Sequence, residues 1–168
     1  MRIHLRRRQN IDDENYAAAQ NEAAERFSRN LLRLGCNADL TMTAGKAIQE
    51  MYWSTPNYDG VTKLASSAQT CTLKITIPAT LTLFFVHMEL QTPSLIYETS
   101  GCGGDNLVYT ASSGTSVRIC GTVSGQSWSE LQIFDGPKSF SFTWTSVADG
   151  GTAVGFKLMI TGYDLTGK

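Results

Sequence analysis

The stretch Cys71-Thr-Leu-Lys-Ile-Thr-Ile-Pro78 decides the fold. Leu73, Ile75 and Ile77 alternate with Thr72, Lys74 and Thr76, a period of two that puts apolar side chains on one face of a strand. The same pattern returns along the chain. Leu81, Leu83 and Phe85 alternate with Thr82, Phe84 and Val86, so this second run is apolar on both faces and reads as a central strand. Pro78-Ala79-Thr80 separates the two runs. Phe140, Phe142 and Trp144 alternate with Ser139, Ser141, Thr143 and Thr145, which describes an antiparallel strand with one wet face. Phe156, Leu158 and Ile160 give the last long strand, with a turn expected at Asp149-Gly150-Gly151 before it. Shorter strands are expected at 107–109, 117–119 and 131–134. The whole reads as an all-β sandwich.

Composition agrees. The chain has 168 residues and 15 glycines, a size that suits one domain and a mix that suits short strands with many turns. The formal net charge of −1 argues against a general nucleic-acid surface. That charge is uneven. Residues 1–34 hold seven arginines and five acidic residues, and the remainder is net acidic. No apolar run approaches the ~20 residues of a membrane span.

Residues 1–11 read as a basic tail. Residues 12–35 read as an amphipathic helix, capped by Asp12, with Asp13 and Glu14 at its positive end and Gly35 terminating it. Tyr16, Ala19, Ala23, Phe27, Leu31 and Leu34 form its apolar stripe, which is expected to pack against protein. No secretory signal peptide precedes it. Four cysteines in a strand-rich domain nevertheless point to an oxidising compartment. The expectation is therefore a secreted or extracellular protein, of which this chain is a fragment, a processed form or an incomplete gene model.

Chemistry is sparse. The two histidines are His4, in the tail, and His87, on a strand beside Met88 and Glu89. No Gly-x-Ser-x-Gly, His-Glu-x-x-His or phosphate loop occurs. The cysteines lack Cys-x-x-Cys spacing, which argues against a zinc knuckle or redox pair. Four of them allow three pairings, and spacing alone does not select one. The expectation is a protein that is not an enzyme.

Taken in order, the motifs resemble those of a CUB domain over residues 36–164. Ser54-Thr55-Pro56-Asn57-Tyr58 is similar to the family's Ser-Pro-Asn-Tyr turn, with one extra residue. Cys71-Thr72-Leu73-Lys74-Ile75 resembles its Cys-x-Trp-x-Ile strand, with Leu73 in the Trp place. Cys102-Gly103-Gly104-Asp105 matches Cys-x-x-Asp, and Cys120-Gly121 matches Cys-Gly. Thr145-Ser146 followed by Gly155-Phe156 resembles the Ser-Asp…Gly-Phe ending. The resemblance implies a jelly-roll β-sandwich, sequential disulfides Cys36–Cys71 and Cys102–Cys120, and an extracellular module binding proteins or glycans.

Many CUB domains bind calcium through three acidic residues helped by a Tyr. In this chain Asp105 stands at one of those positions. The others fall on Gln91, Val147 and Thr62. One carboxylate in place of three argues against the usual site. A shifted site from Glu89, Asp105 and Asp149 is the weaker alternative, so the expected cofactor is none, with calcium as the candidate. Tyr58, Asp105 and Asp149 are the binding candidates, and Trp53 and Trp128 are either loop anchors or core. The expected function is a non-catalytic interaction module that binds an extracellular protein through loops at one end of the sandwich. The alternatives are an accessory domain of a larger secreted protease and a glycan-binding adhesin.

Overall fold

The computed structural model describes residues 32–65, 67–148 and 151–166. The chain divides into two compact units, Met1–Leu32 and Arg33–Lys168. The basic tail and residues 12–31 of the expected helix lie outside the described residues. In chain order the strands are β1 (Leu32–Leu34), β2 (Ala38–Thr41), β3 (Ile48–Ser54), β4 (Leu64–Ala65), β5 (Gln69–Ile77), β6 (Leu83–Leu90) and β7 (Leu95–Ile96). After a 3-10 turn at Ser100–Cys102 come β8 (Asn106–Thr110), β9 (Ser116–Ile119), β10 (Gly121–Thr122), β11 (Ser127–Ile133), β12 (Lys138–Ser146), β13 (Thr152–Ala153) and β14 (Lys157–Asp164).

Two five-stranded sheets form a sandwich. Sheet I has the order β1-β3-β14-β6-β11 and sheet II the order β2-β5-β12-β8-β9. The long pairings are antiparallel, apart from the parallel β2–β5 pair at the edge of sheet II. Small two-stranded pairs, β10-β7 and β13-β4, stand beside the main sheets. The expected alternation sets the core. Cys71, Leu73, Ile75 and Ile77 of β5 and Phe140, Phe142 and Trp144 of β12 face Trp53, Phe84, Val86, Met88, Leu158 and Ile160 of sheet I. Burying one such side chain stabilises by about 1.5–3 kcal/mol. Gly162 lies on the inner face of β14, where a Cβ would stand 2.9 Å from the Phe84 ring and 3.0 Å from the Met42 sulfur. The missing side chain leaves room for the phenylalanine.

Three expectations are corrected. Leu32–Leu34 form a strand, not the end of a helix. Leu34 packs against the core, and β1 lies beside β3 at the edge of sheet I, so sheet pairing outweighs the local helical stripe. Leu81 and Thr82 precede the central strand, which runs on to Leu90. The Asp149-Gly150-Gly151 segment does not join paired neighbours. β12 belongs to sheet II and β14 to sheet I, so the chain crosses the sandwich at this point. Asp149 and Gly150 lie outside the described residues.

The disulfides are Cys36–Cys71 and Cys102–Cys120, spanning 35 and 18 residues. The first ties the segment between β1 and β2 to β5. The second ties the 3-10 turn to the end of β9. Trp53 is core, not a loop anchor: it is 1% exposed, its Nε1 donates to the Gly35 carbonyl at 2.9 Å, and it packs on Phe156. Trp128 likewise packs against Tyr109 and Phe142.

Candidate functional site

At one end of the sandwich, where β12 ends and β5, β8 and β14 begin, the loops surround a cavity of about 250 Å³. Its lining includes Asn57, Gln69, Tyr97, Asp105 and Trp144. β5 and β12 supply Gln69 and Trp144. The turn after β3 supplies Asn57, whose φ of 58° is a left-handed conformation that asparagine tolerates. Gly155 has a φ of 82°, and a Cβ there would meet the Thr55 hydroxyl. Its absence lets Thr55 accept the Phe156 N–H at 3.3 Å and close the floor of the turn.

Asp105 is buried, 5% exposed, and its Oδ1 accepts the Val147 N–H at 2.9 Å. The carboxylate therefore binds the loop after Cys102 to the exit of β12. Around it, the Gly104 N–H donates to Thr99 Oγ1 at 2.6 Å, and Asn106 Nδ2 donates to the Gly104 carbonyl at 2.9 Å. Among the described lining residues Asp105 is the one carboxylate, and there is no histidine, lysine or arginine.

The residues at the family's other calcium positions are engaged differently. Gln91 turns its Nε2 toward the Glu89 carbonyl at 3.4 Å. Thr62 donates its hydroxyl and its N–H to Asp59, which also accepts the Val61 N–H. The Thr62 hydroxyl and these two backbone donors hold the Asp59 carboxyl down at about 2. Val147 has an aliphatic side chain that brings no oxygen, and its N–H donates to Asp105 Oδ1. Glu89 lies on the outer face of β6, 3.7 Å from His87, while Asp105 is buried at the cavity. Asp149, the third residue of the shifted set, lies outside the described residues. Among the described residues no group of three acidic, cysteine or histidine side chains could hold a metal. Of the four mapped positions, Asp105 alone carries a carboxylate, against the several hard oxygen ligands that calcium takes.

Tyr58 is half-buried and donates its hydroxyl to the Pro93 carbonyl. Burial, and then the Asp59 charge, push its pKa up, so it is a neutral strut between two loops. The cavity brings together Asp105 and four residues that the sequence reading did not single out for binding: Asn57, Gln69, Tyr97 and Trp144. Trp144 read as an ordinary inward strand residue. Nothing in its spacing marks it as the last inward aromatic before the open end.

A second polar cluster was also missed. Glu130, 8% exposed, accepts the Tyr109 hydroxyl and the Ser112 N–H on Oε1 at 2.6 and 2.9 Å, and the Ser112 hydroxyl on Oε2 at 2.6 Å. Burial alone would raise its pKa, but these hydrogen bonds outweigh it and hold the carboxyl below its usual value. In return, burial and the Glu130 carboxylate raise the Tyr109 pKa. The cluster fastens the β8–β9 hairpin of sheet II to β11 of sheet I.

No family model matches the chain, and no curated protein matches it. Solved structures do. The full extracellular region of zebrafish Gpr126/Adgrg6 superposes with a TM-score of 0.56 at 19% identity, over 79% of this chain and 15% of that one. The CUB1-EGF-CUB2 domains of rat MASP-1 give 0.54 at 16% identity, over 77% of this chain and 43% of that one. The MASP-1 CUB2 domain bound to Ca2+ gives 0.51 at 15% identity, over 72% of this chain and 96% of that one. The chain thus spans less than half of each of the two larger structures and nearly all of the single CUB domain. Its fold is CUB-like.

Proposed function

We propose that this chain is a non-catalytic extracellular module that binds a protein partner through the loop end of its sandwich. The observation that carries this reading is the cavity itself: a concave site of mixed character, with one buried carboxylate, mounted on a disulfide-stapled sandwich. Rigid sheets with functional loops are a common arrangement for recognition. Two disulfides support an oxidising, extracellular location. A glycan is the second reading, favoured by the Trp144 and Tyr97 rings beside the Asn57 and Gln69 amides.

The chain is to be screened against arrays of extracellular ectodomains and of glycans. A protein hit lost in Asp105→Asn, which keeps an oxygen for the Val147 N–H, supports the first reading. A glycan hit lost in Gln69→Ala supports the second. Hits indifferent to both variants refute the loop end as the binding site. The module works without calcium on this reading. One bound ion would stabilise by about 2.7 kcal/mol at a hundredfold excess over Kd. A melt in millimolar calcium should match one in chelator, and an upward shift abolished by Asp105→Ala would overturn this.

A further inference from the structure

A second surface lies on the outer face of sheet I, toward the end opposite the cavity. Strand register assembles it. Ile48 pairs with Tyr163, Tyr163 with Phe85, and Phe85 with Leu131, one outward residue from each of β3, β14, β6 and β11. Leu83 pairs with Ile133 one step further along. The Leu165 N–H reaches the Leu83 carbonyl at 3.0 Å and brings Leu165 to the same end. Ile48, Leu131, Ile133 and Leu165 are all exposed, and Phe134 in the turn after β11 is 76% exposed.

Phe134 adds an independent observation. Its φ of 52° lies in the left-handed region, where a bulky residue is strained. Its N–H donates to the Thr82 carbonyl at 2.8 Å, which fixes the turn. Asparagine or glycine would fit this backbone better, yet the chain holds a wet aromatic ring there.

The neighbouring rows are acidic. Beside the apolar row run Glu50, Thr161, His87 and Ser129, and beside those Tyr52, Met159, Glu89 and Ser127. On β3, β14, β6 and β11 these rows hold two glutamates and one histidine and no lysine or arginine, while exposed Arg33 stands on β1, the strand beside β3. Lys157 comes only one row further on, over the Tyr52 ring. On the other flank Lys138 is paired with Asp135 at 2.9 Å and also donates to the Leu131 carbonyl at 2.6 Å.

We infer that this face docks a protein segment presenting apolar side chains flanked by lysine or arginine. The apolar row takes the apolar side chains, and Glu50 and Glu89 take the basic flank. This surface is separate from the cavity and stands independently of the loop-end reading.

The test uses the full chain and two short amphipathic peptides, one of leucine and lysine and one of leucine and glutamate, titrated by fluorescence anisotropy. The Leu/Lys peptide should bind, and the Leu/Glu peptide should not. Leu131→Ser and Phe134→Asn should each weaken binding by about tenfold, as removal of a central contact does. Glu50→Gln should weaken it at low salt and less at high salt. Thr143→Ala, on the outer face of sheet II, should leave it unchanged. Phe134→Asn suits the left-handed turn, so a loss of binding without a loss of stability reports the surface and not the fold. Equal binding of both peptides, or indifference to the Leu131 and Phe134 variants, overturns the proposal. Two further results would also overturn it by assigning the face elsewhere: concentration-dependent dimerisation in sedimentation abolished by Leu131→Ser, or equally sensitive binding to phosphatidylcholine vesicles.

Discussion

The two outer faces of the sandwich occupy equivalent positions and carry opposite compositions. On sheet II the outward rows read Asp39, Lys74, Ser141, Thr110, Ser116 and, next to them, Thr72, Thr143, Val108, Arg118. Hydroxyls meet across strands there, Thr76 with Ser139 at 3.1 Å and Thr110 with Ser116 at 2.9 Å. On sheet I the corresponding row holds Ile48, Tyr163, Phe85 and Leu131, with Phe85 stacked on His87 and tilted against Tyr163. Threonine and serine satisfy a wet strand face, since threonine fits the pleat as well as valine does and brings no apolar cost in water. Sheet II shows that the fold itself requires no apolar outer face. The aromatic and aliphatic row on sheet I therefore calls for another reason, and recognition supplies one.

The comparison breaks first if the sheet I outer row proves to be part of the core. Phe142, fully buried between Tyr109 and Trp128, should cost about 3–5 kcal/mol when replaced by alanine. Phe85→Ala on the outer row should cost less than about 1 kcal/mol in the same urea titration. Comparable losses would make the outer row structural.

A polar clamp joins the sheets, and its removal should come next in size. Glu130→Ala should destabilise by about 2–3 kcal/mol at neutral pH, since it strands the Tyr109 hydroxyl and two Ser112 donors. Because the folded Glu130 carboxyl lies below its ordinary value, its contribution is full above about pH 4.5. It is lost as pH falls through the lower folded value. Wild-type and variant melts should therefore converge in acid, and a gap that persists there would refute the assignment.

Smaller still is the effect of relaxing the displayed turn. Phe134→Asn should raise stability by about 0.5–1 kcal/mol, because asparagine accepts a left-handed backbone and no packing is lost. A fall in melting temperature would show that the ring packs on its own domain in solution. The least effect is expected on the hydroxyl face, where Ser141→Ala should stay within about 0.5 kcal/mol by calorimetry. A larger loss would mean that the hydroxyl rows of sheet II are themselves structural.

The register also explains how the edges are kept from pairing with other chains. β11 ends sheet I, and its backbone is engaged from the side. Lys138 Nζ donates to the Leu131 carbonyl at 2.6 Å, and the Ile133 N–H donates to Asp135 at 3.3 Å. A charged pair on an exposed edge discourages strand addition. It leaves the side chains of Leu131 and Ile133 available on the face, which is where the proposed partner docks.

Much of the fold was legible in the residues. Alternation in 72–77 and 139–145 located two core strands and the wet face of each, because a strand has only two faces and burial chooses between them. The CUB resemblance implied the disulfide pairing that is observed. Asp105 was singled out from its motif, and it does line the loop-end cavity. The run 81–86 reads as a central strand from its two apolar faces, and β6, which covers Leu83–Leu90, does lie inside sheet I, between β14 and β11. Its second apolar face, however, is the outward row and not a second core. Periodicity cannot distinguish a face covered by the opposite sheet from one that faces water.

Local facts were therefore settled by the order of the residues alone: which of them share a strand face, and which cysteines are present to pair. Those follow from the period of two and from residue chemistry, both of which act over a few positions. Which strands become neighbours was left to the folded chain. Ile48, Phe85, Leu131 and Tyr163 become one row only through the register of β3, β14, β6 and β11. Likewise Asn57, Gln69, Asp105 and Trp144 become one cavity only where the two sheets open at their end. Leu34 fits a helical stripe, yet Leu32–Leu34 lie as an edge strand, because a core to pack on and a sheet edge to pair with outweigh a local preference of about a few tenths of a kcal/mol per residue.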